Sequence, residues 1–168
     1  MTDRGTAAEA GFDSWVEVRV AGLLRFAFLV TGSQQAAEDA VQSALASACE
    51  KWSTVSRRGD PDAYVRRMVV NAHISAWRRS GRRELPVAEV RDATNADPAQ
   101  VVVEHDAVWR VCVALPPQQR AAVVLRFYED LEYDEIATIL GVAAPTVRSH
   151  VHRALAALRR ELGAEEDE

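Results

Sequence analysis

Four histidines, two cysteines and 25 acidic residues are the groups from which a catalytic or metal site would have to be built. Their spacing supports neither. His73, His105, His150 and His152 form no HExxH or similar ligand pattern, and His150 and His152, two apart on a helix, point about 200° from each other. Cys49 and Cys112 are distant and lack CxxC spacing. No glycine-rich phosphate loop or nucleophile elbow occurs, so no enzyme, cofactor or metal is expected. What remains is arginine. Residues 57–83 hold eight (Arg57, Arg58, Arg66, Arg67, Arg78, Arg79, Arg82 and Arg83) against Asp60 and Asp62, a local charge of +6. Residues 144–160 hold four (Arg148, Arg153, Arg159 and Arg160) and no acid. On a chain of formal net charge −5, two such blocks suit an elongated contact with a polyanion. The acids gather elsewhere, in 129–135 and 165–168.

The elements that must position these groups are helical. Apolar residues recur every three or four positions and strand-like alternation is scarce, so the fold class expected is all-α, two small helical domains joined by a linker. A first helix is expected from about Phe12 to Val30, broken at Thr31-Gly32-Ser33. Ser33 then caps a second helix to about Trp52. Ala37, Val41, Ala44, Leu45 and Ala48 share one face of it, with Glu38, Asp39, Gln42 and Ser43 away. After a loop over 55–62, Asp60 caps a third helix that starts at Pro61 and continues through Trp77 towards Arg83. It is expected to bury Tyr64, Val65, Met68, Val69 and Ala72. Trp52, Tyr64 and Trp77 read as core residues. From Glu84 the pattern fails around Pro86, Asn95 and Pro98. Helices resume near Val101, run to Leu115, and restart at Pro116-Pro117. The apolar share of 48% allows packed cores, no stretch approaches the ~18–20 apolar residues of a membrane span, and the N-terminus lacks a secretion signal. A soluble cytoplasmic protein is expected.

Residues 131–158 carry the most specific pattern. Ile136, Ala137, Ile139 and Leu140 give a short helix an apolar face, and Gly141 suits a sharp turn at positive φ. Pro145 starts a helix with Val147, Val151, Leu155 and Leu158 on one side. Helix, tight turn and second helix with this periodicity make a DNA-binding helix-turn-helix. Thr146, Ser149, His152 and Arg153 point away from the core, with Arg148 on the flank. They are short polar groups and guanidinium forks suited to base edges and phosphates, at the positive end of a helix dipole. In the N-terminal half, Arg66-Arg67 and Arg78-Arg79 flank a helix with Asn71, His73 and Trp77. That mixture suits single-stranded or melted nucleic acid, although periodicity alone leaves its role open.

These residues resemble an extracytoplasmic-function sigma factor of the sigma-70 superfamily. The run LPPQQRAAVVLRFYEDLEYDEIATILGVAAPTVRSHVHRALAALR is similar to domain 4, and TGSQQAAEDAVQSALASACEKW with GDPDAYVRRMVVNAHISAWRRSGRR to domain 2. The resemblance implies a frayed or disordered segment over 1–11, a domain 2-like unit over 12–83, a linker over 84–103, a domain 4-like unit over 104–160 and an acidic tail over 161–168. It implies core RNA polymerase and promoter DNA as partners, leaves room for an anti-sigma factor, and implies no membrane contact. Glu38, Asp39 and Gln42 would meet the polymerase. Arg57, Arg58, Arg66, Arg67, Asn71, Arg78, Arg79, Arg82 and Arg83 would capture and melt the −10 element. Thr146, Arg148, Ser149, His152 and Arg153 would read the −35 element. Ser43 stands where the family commonly has an acid, and Ala143-Ala144-Pro145 replaces its usual polar cap. His152 stands where the family varies. Two rivals share the helix-turn-helix: an operator-binding regulator with a sensing or dimerising N-terminal domain, and an adaptor that docks on polymerase without reading a promoter. A docking helix beside a basic helix fits the sigma factor better than a sensor.

Overall fold

Nothing in the first 31 residues stops a helix: no proline occurs, and Ala7, Ala8 and Ala10 favour the conformation. In the computed structural model, which describes residues 3–80 and 107–165, α1 runs over Asp3–Thr31, about 43 Å at 1.5 Å per residue. The frayed segment expected over 1–11 is therefore corrected at residues 3–11, which continue the helix. Apolar periodicity marks where packing begins, and Phe12 is where it begins. The Phe12 and Trp15 rings each lie 5.3 Å from that of Trp52, which is buried.

Gly32 ends α1 at φ 72°, and Ser33 opens α2 (Gln34–Glu50), its hydroxyl accepting from the Ala36 N–H at 3.3 Å. The buried face of α2 is Ala37, Ala40, Val41, Ala44 and Ala48, small side chains that let neighbouring helices approach closely. The chain breaks at Lys51 rather than after Trp52. A short α3 (Trp52–Val55) and a 3-10 turn over Ser56–Arg58 follow, so Val55 is core rather than loop. Asp60 accepts from the Ala63 N–H at 3.1 Å, and Pro61 opens α4 (Pro61–Arg79). The expected face of α4 is only partly right. Val65 and Val69 are buried, together with Val70, His73 and Ile74, whereas Tyr64, Met68, Ala72 and Trp77 are half-buried. The expected linker over 84–103, Arg82, Arg83 and the helix start near Val101 lie outside the described residues.

The second unit comprises α5 (Ala107–Ala114), α6 (Pro117–Val123), a π-helical turn over Val124–Tyr128, α7 (Tyr133–Leu140) and α8 (Ala144–Glu165). Residues 161–165 of the expected tail are thus part of α8. Among the described residues no helix is long and apolar enough to cross a membrane.

The two helical units are packed against each other and share one core. Residues 23–30 of α1, LLRFAFLV, are apolar on almost every side, and a helix of that kind is covered on more than one side. The second unit supplies the cover. The Phe28 ring stacks on Trp109 at 5.1 Å, and that of Phe26 on Tyr128 at 6.4 Å. Between them lies Arg120, 6% exposed. Its guanidinium donates to Val30 O at 2.7 Å and Thr31 O at 2.9 Å in α1, and to Val113 O at 2.8 Å and Leu115 O at 3.4 Å in its own unit. The last turn of α1 has no basic residue of its own, so Arg120 meets the negative end of that helix dipole from across the boundary. Burial pushes this guanidinium down to about 10, still charged at neutral pH. Gly32 supplies the left-handed turn at φ 72° next to this site, and a Cβ there would just touch the guanidinium at 3.4 Å.

His73 on α4 is also buried, with no partner for Nε2. Burial, and secondarily the charge of Arg120, lower its pKa from 6.5 to about 4, so the fold holds it neutral. The unfolded chain takes up the proton first as pH falls. The contribution to stability is complete above pH 6.5, is lost progressively below it, and is gone near pH 4. At about 1.36 kcal/mol per pH unit the whole drop is roughly 3 kcal/mol. Urea midpoints at pH 7 and pH 5 are expected to differ in the wild type, and the difference to shrink in His73→Leu. Arg120→Ala leaves buried carbonyls of two units without donors and is expected to lower unfolding free energy by about 3 kcal/mol, read as a reduced urea midpoint.

Candidate nucleic-acid interface

The helix-turn-helix is fixed by one glycine and a few aliphatic contacts. Gly141 caps α7 in the left-handed region at φ 66°, and the Val142 N–H returns to Ala137 O at 3.1 Å. α8 begins without a side-chain cap. The Ala143 carbonyl accepts from Thr146 N–H at 2.9 Å and Val147 N–H at 3.2 Å, and Pro145 occupies the first turn, where a missing N–H is harmless. Val147, Val151 and Ala154 are buried, in one core with Ile136, Ala137 and Leu140 of α7, while Leu155 and Leu158 are half-buried. This places Thr146, Arg148, Ser149, His152 and Arg153 all in solvent, on the sides the spacing assigned them. The Ser149 hydroxyl donates back to Pro145 O at 3.1 Å, which leaves its lone pairs outward. The Arg148 guanidinium lies 5.4 Å from the centre of the Tyr133 ring, which also carries Arg126 at 5.2 Å. His150 is half-buried; burial and the nearby Arg153 lower its pKa, which favours a neutral imidazole there.

The basic surface of the first unit is only partly free. Arg57, Arg58, Arg67, Asn71, Arg78 and Arg79 are exposed, spread over the 3-10 turn and the outer side of α4. Arg66 is not. Both Glu129 carboxylate oxygens accept from it across the boundary between the units, Asp62 stands 3.4 Å away, and the guanidinium lies 5.4 Å over the Phe26 ring. Burial pulls its pKa down, but the hydrogen bond and charge of Glu129, helped by Asp62, outweigh this and hold it above the ordinary value. On α2, Asp39 and Gln42 are exposed and Glu38 is half-buried. Gln34 and Gln35 donate to Glu38 and Asp39 at 3.1 Å each. Among the described residues no cluster of three or more His, Cys, Asp or Glu is placed to hold a metal ion.

Sequence reasoning missed Glu129, Arg120 and Tyr133. Glu129 had been grouped with the surplus acids. Its partner lies 63 residues away in sequence, and no local periodicity links them. The apolar run over 23–30 was the one available sign that α1 had a second covering surface.

The sequence itself matches two known families. Residues 16–83 match "Sigma-70 region 2", and residues 105–158 match "Sigma-70, region 4". The RNA polymerase sigma-E factor of Streptomyces coelicolor is 35% identical over 153 residues, covering 91% of this chain and 86% of that protein. The ECF RNA polymerase sigma factor SigM of Mycobacterium tuberculosis is 35% identical over 142 residues, covering 84% and 71%. The fold resembles that of the sigma factor RpoE from Bartonella quintana, solved in complex with the anti-sigma factor NepR. That match has a TM-score of 0.67 at 24% identity and covers 91% of this chain and 97% of that one. The chain belongs to the sigma-70 family, in its extracytoplasmic-function group. It is a sigma factor, a transcription initiation factor that directs RNA polymerase to promoters, and not the regulator considered beside it.

The pair between Arg66 Nη1 and the two Glu129 oxygens is half-buried, which puts its coupling at the upper end of the range for exposed ion pairs. A double-mutant cycle of Arg66→Ala and Glu129→Ala is expected to give about 1 kcal/mol in urea unfolding, smaller in high salt.

Proposed function

We propose that this sigma factor docks on core RNA polymerase through the outer edge of α2, using Glu38, Asp39 and Gln42. α8 then reads the −35 duplex with Thr146, Arg148, Ser149, His152 and Arg153. Arg57, Arg58, Arg67, Asn71, Arg78 and Arg79, with Arg66, Arg82 and Arg83, take hold of the −10 element. The observation that carries this assignment is the polar, acid-free face of α8, fully in solvent beyond a helix-turn-helix. The protein performs no covalent chemistry of its own in this reading and works in the cytoplasm beside the polymerase. An anti-sigma partner belongs to the same reading, as RpoE has one in NepR.

In this reading Arg66 has to exchange Glu129 for DNA before it serves the −10 element.

Purified protein with core polymerase is expected to yield promoter-specific run-off transcripts from a genomic fragment pool, and Arg153→Ala to reduce protection of the −35 region without changing affinity for core polymerase. Transcripts that are the same with and without the protein would overturn the reading. Both measurements are made at one ionic strength, because phosphate contacts are salt-sensitive.

A further inference from the structure

We propose that Tyr133 is a positioning residue of the duplex-reading head: its ring seats the Arg148 guanidinium as well as that of Arg126, so that Arg148 meets DNA already aimed. The proposal rests on α8 being the −35 helix.

Three elements converge on this ring. Tyr133 is the first residue of α7, Arg126 lies in the π-helical turn, and Arg148 is on the first turns of α8. The two guanidinium carbons are 5.2 Å and 5.4 Å from the ring centre, inside the range where a cation is drawn to the electron-rich face. The ring itself is held. Tyr133 is half-buried and packs against the core that includes Ile136 and Val147. Arg126 is held too, donating to Leu131 O at 3.0 Å, with the exposed Glu132 carboxylate further off at 3.8 Å.

Arg148 differs from its neighbours in the kind of partner it has. Among the described residues no carboxylate lies within ion-pair distance of it; its contact is the aromatic face. A carboxylate would occupy the N–H donors that DNA needs and would have to be displaced. A ring face holds the flat of the guanidinium and leaves the donor edge free for phosphate or the acceptors of guanine. The ring also draws two like charges to one place, which concentrates positive potential beside the recognition helix. Arg66 shows the contrasting arrangement, with Nη1 engaged by Glu129 and Nη2 facing Asp62.

The test uses holoenzyme reconstituted with core polymerase and the duplex that wild-type holoenzyme selects from a random-sequence pool. Tyr133→Leu is expected to weaken binding of that duplex by about two- to fivefold, Tyr133→Phe to retain it, and Tyr133→Leu to cost nothing further in an Arg148→Ala background. Loss of the same size with and without Arg148, or a Phe variant as weak as the Leu variant, would remove this role from Tyr133 while leaving the −35 assignment standing. Wild-type holoenzyme that selects no duplex would instead take down the −35 reading and this proposal with it. NMR of the free protein gives a second measure, independent of how well the Leu variant folds: Arg148 side-chain protons are expected to be ring-shifted upfield in wild type and in Tyr133→Phe. Unshifted protons in wild type would overturn the proposal.

Discussion

A buried guanidinium held by carbonyl oxygens is the constraint around which this molecule is arranged. Arg120 carries its charge into a position 6% exposed, where an unpaired ion is strongly disfavoured. The position is tenable because four carbonyl oxygens converge on it, two from each unit. Two of the four end α1, where carbonyl groups have no helical partner and the dipole is negative. Arg120 needs α1 as much as α1 needs a cap. The arrangement therefore ties the end of the first unit's longest helix to α6, next to the left-handed turn at Gly32.

The aromatic contacts beside Arg120 explain why the units meet in this way. Phe26 and Phe28 lie two residues apart, hence on different sides of α1. Trp109 covers one and Tyr128 the other. The π-helical turn over Val124–Tyr128, followed by Asp130 in the left-handed region, closes the helix just where Tyr128 and Glu129 face α1 and α4. Glu129 then meets Arg66. A residue that the family resemblance places at melted DNA thus has an internal partner at the interface between the units.

The reading head depends on much less. Gly141, Val147 and Val151, with the α7 aliphatics, set the angle between two short helices, and every polar group on the far side of α8 is then outward by geometry. Two of the exposed residues proposed to read DNA are held by lighter means, a ring for Arg148 and a backbone carbonyl for Ser149.

Local chemistry made the helices, their caps and the outward face of α8 legible from sequence alone. Ser33, Asp60 and Gly141 act within four residues of their own position, and helical period is a property of neighbours. For the same reason the outward placement of Thr146, Arg148, Ser149, His152 and Arg153 was legible without coordinates. Only the tertiary structure decided which basic residues are free. It withdrew Arg66 to Glu129 and turned the buried side of α4 towards Val70, His73 and Ile74. It also made Arg120 an internal cap rather than one more surface cation, and packed the two helical units against each other in a common core. Each of these rests on partners dozens of residues apart. Burial and pairing across such distances are set by how helices pack, and no periodicity within either helix carries that information.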